Sequence, residues 1–156
     1  MNILGLRLRE SKVKSIYVIG SLRNPAIPKL GNALRKLGLD VFEDWFASGP
    51  ETDDWWKKYE QGRGRTYGQA LKGYMAPHVF EFDKFHLDRT DGAVLLHPAG
   101  RSAHLELGYT LGKGKPGFIL FPKEPEERWD VMAQFATEIF FSQKEFLNTL
   151  AEKYVE

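Results

Sequence analysis

At 156 residues the chain suits one domain with a sizeable core, and 42% hydrophobic with 28% charged residues is the balance of an ordinary globule. Basic and acidic residues, mixed along the whole chain, nearly cancel to a formal charge of +1, which leaves no basic face for polymeric DNA or RNA. No apolar run approaches a membrane span, Arg7, Arg9 and Lys12 interrupt any signal-peptide core, and the lack of cysteine excludes disulfides, thiolate metal sites and cysteine nucleophiles. A cytoplasmic protein with no membrane partner is expected.

Residues 1–14 are too charged for a core element and read as an N-terminal extension. Ser15 to Gly20 is β-branched, apolar and ended by glycine, as an interior parallel strand would be. Ser21 to Pro25 then makes a polar loop, and Ile27 to Leu37 carries Leu30, Ala33, Leu34 and Leu37 at helical spacing before Gly38 stops it. Leu39 to Glu43 reads as a second strand, completing a βαβ unit with a right-handed crossover. Residues 44–76 break the pattern: Trp45, Phe46, Trp55, Trp56, Tyr59, Tyr67 and Tyr74 are interleaved with Ser48-Gly49-Pro50 and Gly62-Arg63-Gly64-Arg65. This is an insertion or lid with one or two short helices, whose aromatics either stack on a flat ring or only pack the insertion itself.

Pro77 suits the first turn of a helix running to Arg89, with Val79, Asp83 and Leu87 four apart, so that Asp83 interrupts an apolar face. Gly92 to Leu96 is a third strand, ended by Pro98. Ser102 is placed to cap the next helix, on which Ala103, Leu107 and Leu111 form one face with Glu106 beside it. Gly117 to Phe121 supplies a fourth strand and Ile139 to Phe141 a fifth. Ser142 to Glu145 is a capping box for a last helix with an apolar stripe of Phe146, Leu147, Leu150 and Tyr154. The expected fold is α/β and flavodoxin-like: a parallel sheet of about five strands with helices on both faces, in a single domain.

Several familiar motifs fail. Only three residues separate Gly108 from Gly112, and that segment ends a helix where a phosphate loop should begin one. His78, His86, His97 and His104 lack metal-ligand spacing and read as surface or packing residues, so no metal is expected. No Gly-x-Gly-x-x-Gly follows the first strand, which argues against a dinucleotide dehydrogenase, and no cofactor is expected. What remains is a pair of carboxylates on the helices flanking the third strand, Asp83 before it and Glu106 after it.

Three segments together, Tyr17-Val18-Ile19-Gly20-Ser21-Leu22-Arg23, Asp83 with Asp91-Gly92-Ala93-Val94, and Ser102-Ala103-His104-Leu105-Glu106-Leu107-Gly108, resemble the nucleoside 2-deoxyribosyltransferase superfamily over residues 15–121. The last segment is the most specific. The resemblance implies that Glu106 attacks the anomeric carbon of a nucleoside or nucleotide, that Asp83 lies near the departing base, and that Tyr17 touches the sugar or the nucleophile. Branches acting on 5′-monophosphates carry serines and an arginine in the first loop and before the catalytic helix. Gly20, Ser21, Arg23, Gly100 and Ser102 fit that version. The resemblance also implies a homo-oligomer with neighbouring chains near each site. The aromatic insertion carries no matching contacts.

The chemistry needs these residue types. Breaking an N-glycosidic bond builds positive charge on the sugar, which one carboxylate stabilises and captures as a glycosyl ester while an acid assists the departing base. Ser21, Arg23, Ser102 and the backbone N–H groups at the helix start suit a phosphate. The expected activity is hydrolysis of a nucleoside 5′-monophosphate or nucleoside, with water as acceptor. Base exchange is the alternative within the same chemistry, and a non-catalytic nucleotide-binding module is the alternative outside it.

Overall fold

The computed structural model of the chain describes residues 12–156. Most of the expected N-terminal extension therefore lies outside the described residues, but its last part does not behave as an extension. Val13 is buried and its N–H donates to the Tyr154 carbonyl at 2.8 Å, because the chain enters the sheet alongside the C-terminal helix.

The strands are β1 (Ser15–Ile19), β2 (Asp40–Phe42), β3 (Gly92–Leu96), β4 (Gly117–Leu120) and β5 (Glu138–Phe140). The helices are α1 (Ala26–Arg35), α2 (Thr52–Gly62), α3 (Tyr67–Leu71), α4 (Met75–Arg89), α5 (Arg101–Gly112) and α6 (Gln143–Thr149), the last continuing as a π-helical turn over Leu150–Tyr154. All strand pairs are parallel, in the order β2-β1-β3-β4-β5. That order is the flavodoxin-like one, with its topological switch between β1 and β3. The five strands and the helices on both faces form one domain, as the periodicity predicts.

Register and pleat divide the core in two. Val18 pairs with Val94 and Val94 with Phe118, so residues of matching parity stand on one face across three strands. Ile16, Val18, Val94, Leu96, Phe118 and Leu120 meet Ile27, Leu30 and Leu34 of α1 and Phe146, Leu150 and Tyr154 of the C-terminal helix. The opposite face, with Tyr17, Ile19, Ala93, Leu95 and Ile119, meets Leu87 of α4 and Ala103 and Leu107 of α5. Truncating a fully buried side chain such as Leu30 to alanine costs about 2–5 kcal/mol. This second face thus holds α4 and α5, the carriers of Asp83 and Glu106, against one side of the sheet.

Element ends differ from expectation where polar groups intervene. Glu43, expected to end the second strand, follows it and pairs instead with Arg35 of α1, the guanidinium Nη1 donating to Oε1 at 2.6 Å. Gly31 makes room, since a Cβ there would collide with the Glu43 carboxylate. At the start of α6 the Ser142 hydroxyl accepts from the Glu145 N–H at 3.0 Å, one half of the expected capping box. A 3-10 turn (Asp44–Ser48), α2 and α3 occupy the aromatic insertion. The Trp45 indole N–H donates to the Val18 carbonyl at 2.9 Å and so ties the insertion to β1. Glu60 is buried against Arg65 at 3.2 Å, whereas Trp55, Tyr59, Tyr67 and Tyr74 are exposed.

Candidate active site

Ligands of open α/β sheets gather at the carboxyl ends of the strands where the winding direction reverses. Here that point lies between β1 and β3, and the loops after these two strands, Ser21–Pro25 and His97–Gly100, face each other across it. The His97–Pro98 peptide between β3 and α5 is cis.

Tyr17 sits in the middle of β1 with its ring on the α4–α5 side, 1% exposed and 5.0 Å from the ring of Phe42. A buried phenol needs a hydrogen-bond partner, and its hydroxyl finds the carboxylate of Glu106. Burial, then the negative charges of Glu106 and Asp83, push the Tyr17 pKa far above its ordinary value, so it stays a donor.

Glu106 occupies the second turn of α5, next to the buried Ala103, Leu107 and Thr110. Its carboxyl pKa is pushed up to about 7, first by burial, then by the neighbouring Asp83 carboxylate, with the Tyr17 hydrogen bond pulling the other way. Asp83 projects from the middle of α4, half-buried, and burial raises its pKa to about 6. The apolar stripe expected around Asp83 is incomplete: Leu87 is buried, but Val79 is 49% exposed. Two carboxyls with raised pKa values and a phenol donor thus form one cluster, built from β1, α4 and α5. Packing fixes its floor, since Phe42 stacks on His86 of α4 with centroids 3.8 Å apart and contacts Phe82 at 5.9 Å.

The expected binding residues fall into two groups. Ser21, Arg23 and Gly100 line one open cleft of about 210 Å³, together with Asn24, Pro98 and Ala99. The Ser21 Oγ accepts from the Arg23 N–H at 3.1 Å. Gly20 lies beneath the cleft instead of lining it, and a Cβ there would run into Ile27 of α1. Ser102 is a correction. Gly100 is the N-cap residue of α5 and the helix begins at Arg101, so Ser102 is its exposed second residue and caps nothing. No side chain caps α5, and its first-turn N–H groups remain available beside the cleft. Six residues, about 9 Å of helix rise, separate Gly100 from Glu106, so the cleft and the carboxylate cluster lie along the same helix.

Asn24 is the residue that sequence reasoning overlooked. Its buried side chain accepts from the Ala26 N–H at 3.0 Å and reaches towards the His97 carbonyl, bracing the loop after β1 against the loop after β3. An asparagine before a proline is a turn signal, and that was its only trace. His86 and His97 pack as rings, His97 stacking on Phe121 with centroids 4.2 Å apart, and burial followed by the neighbouring His104 lowers the His97 pKa. Among the described residues no group of three His, Asp or Glu side chains is arranged to hold a metal ion, and no helix is long and apolar enough to cross a membrane.

By sequence the chain matches no described protein family and no curated protein. By structure it is similar to a 2-deoxyribosyltransferase of the psychrotolerant bacterium Bacillus psychrosaccharolyticus, with a TM-score of 0.61 and 18% identity over 91% of this chain and 97% of that one. It is also similar to a conserved protein of Enterococcus faecalis V583, with a TM-score of 0.59 and 13% identity over 89% of this chain and 98% of the other. The fold of the chain is the one these proteins share.

Proposed function

We propose that the protein cleaves the N-glycosidic bond of a nucleoside 5′-monophosphate or nucleoside through a covalent glycosyl-Glu106 intermediate. One observation carries the reading: a partly buried glutamate, a second carboxyl and a phenol donor converge near the switch point of a 2-deoxyribosyltransferase-like fold. The Glu106 carboxylate attacks the anomeric carbon as the bond to the base breaks. The base leaves with the bonding electron pair and takes up a proton. Water then attacks the glycosyl ester, releases the sugar and regenerates Glu106.

The raised pKa values bear on who holds the proton. Between the two raised values, about 6 and about 7, the pair carries about one proton, and deeper burial favours Glu106 as its holder. Catalysis needs Glu106 ionised. Positive charge growing on the sugar favours its carboxylate, and the Tyr17 hydroxyl already donates to it. The proton is then free to move towards Asp83 and the departing base. Tyr17 thus orients the nucleophile and stabilises its charged form.

The cleft lined by Ser21, Arg23 and Gly100 suits the 5′-phosphate, which would meet the guanidinium and the uncapped start of α5 while the sugar lies towards Glu106. Exposed Val79, Phe82 and Phe85 on α4, beside Asp83, suit burial against a second copy of the chain, which supports the homo-oligomer reading. Incubation with a panel of nucleosides and monophosphates, followed by chromatography for free base, tests the activity directly. Release of base in water supports hydrolysis. Consumption that depends on added free base turns the assignment to base exchange, and binding without turnover turns it to a sensing module.

A further inference from the structure

Arg23 is already engaged. Its Nη2 donates to Asp54 Oδ2 at 3.2 Å, an ion pair that joins the loop after β1 to the insertion helix α2 across 31 residues of sequence. Both side chains are mostly exposed, at 67% and 60%. Exposed pairs are weak and exchange readily with a better partner. Asp54 is also the third residue of α2, a helix whose N-terminus carries no side-chain cap, so the helix dipole favours its carboxylate with or without the arginine. Releasing Arg23 therefore costs Asp54 little. An incoming phosphate brings more charge than one carboxylate and meets, besides Arg23, Ser21 and the free N–H groups at the start of α5.

We propose that Asp54 is a specificity-determining residue, a counter-ion from the insertion that competes with a ligand phosphate for Arg23 and so sets how strongly the site prefers phosphorylated nucleosides over free ones. This rests on the phosphate reading of the cleft given above. The same exchange makes α2 a reporter of occupancy, because the contact that anchors its first turn to the β1 loop is the one the phosphate replaces.

Titration with inorganic phosphate, followed by ¹⁵N NMR shifts of residues 21–24 and 100–102, tests this in the wild type, Asp54→Asn, Arg23→Ala and the double variant. Asp54→Asn should tighten phosphate binding about two- to fivefold, the range an exposed pair sets. In the Arg23→Ala background the same substitution should change nothing, since the competition runs through the guanidinium. Unchanged or weaker phosphate binding in Asp54→Asn, with binding weakened in Arg23→Ala, overturns the role of Asp54 and leaves the phosphate cleft standing. Equal tightening in both backgrounds also overturns it, by reducing Asp54 to a general repulsive charge. If Arg23→Ala itself leaves phosphate affinity unchanged, the phosphate reading and the competition fall together.

Discussion

Replacing Glu106 with glutamine keeps the size of the side chain and its capacity to accept from Tyr17, but removes the charge that burial and Asp83 oppose. The carboxyl rises from an ordinary 4.5 in the unfolded chain to about 7 in the folded protein. A folded-state pKa above the unfolded one means that the native state binds the proton more tightly. Its stabilising contribution is full below pH 4.5 and is lost as the pH rises through 7, a loss of about 3 kcal/mol by proton linkage. Glu106→Gln should escape that loss. It should be more stable than the wild type by about 2–3 kcal/mol at pH 8, which raises the melting temperature by about 4–12 °C for a domain of this size, and should gain almost nothing at pH 4. Catalytic turnover should vanish in the same variant, because an amide is no anionic nucleophile. Chemical denaturation at the two pH values, with melting curves alongside, measures the stability difference. Equal gains at pH 4 and pH 8, or no gain at either, would refute the buried-charge argument, and near-wild-type turnover would refute the nucleophile assignment.

Asp83→Asn should slow the release of poor leaving groups more than good ones, read as kcat across nucleosides whose bases differ in acidity, and a uniform loss would make Asp83 structural. Tyr17→Phe deletes the donor to Glu106, whose pKa should rise further, so the ascending limb of the kcat/KM profile should move to higher pH; an unmoved limb would disprove the contact. Arg23→Ala should reduce kcat/KM for monophosphates by about ten- to a hundredfold, the worth of a charged hydrogen bond, while free nucleosides scarcely notice it. Gly20→Ala should destabilise the fold, because the added methyl has no space beside Ile27 of α1, and thermal melting at unchanged stability would show that the α1 packing yields more easily than the geometry indicates.

Much of the fold was legible because the interior strands announce themselves. Ile16 to Ile19 and Ala93 to Leu96 are buried on both faces, so an unbroken apolar run identified them without any alternation to read. The edges were less legible. β2 and β5 are short and pair on one side only, and the residues next to them answer to tertiary contacts: Glu43 leaves the strand to meet Arg35. Ser102 was misread as a cap because capping residues are recognised by type, whereas α5 starts where the chain turns out of the His97–Gly100 loop, two residues too early for that serine. In the insertion one or two short helices were legible, and α2 and α3 stand there, but their placement was not. The insertion's Trp45 packs against the core and donates its indole N–H to a strand carbonyl 27 residues away, and nothing in the local sequence encodes such a partner.

The carboxylates were legible for a reason that also bears on their role. A sequence that specifies one structure tends to satisfy its local rules everywhere, and the exceptions collect where function opposes stability. Glu106 beside Ala103 and Leu107, and Asp83 one turn before Leu87, are such exceptions, acids placed where the pattern calls for apolar side chains. An acid placed there for stability would come with a cation. The only buried acids with one are Glu43, paired with Arg35, and Glu60, paired with Arg65, among the described residues. Glu106 instead faces a second carboxyl, which together with burial raises its pKa and destabilises its charge in the native state, an effect that the Tyr17 phenol offsets only in part. On the proposed mechanism, that destabilisation is what a positively charged sugar at the anomeric carbon would relieve, so the site would bind the transition state by the same electrostatics that make it unfavourable alone.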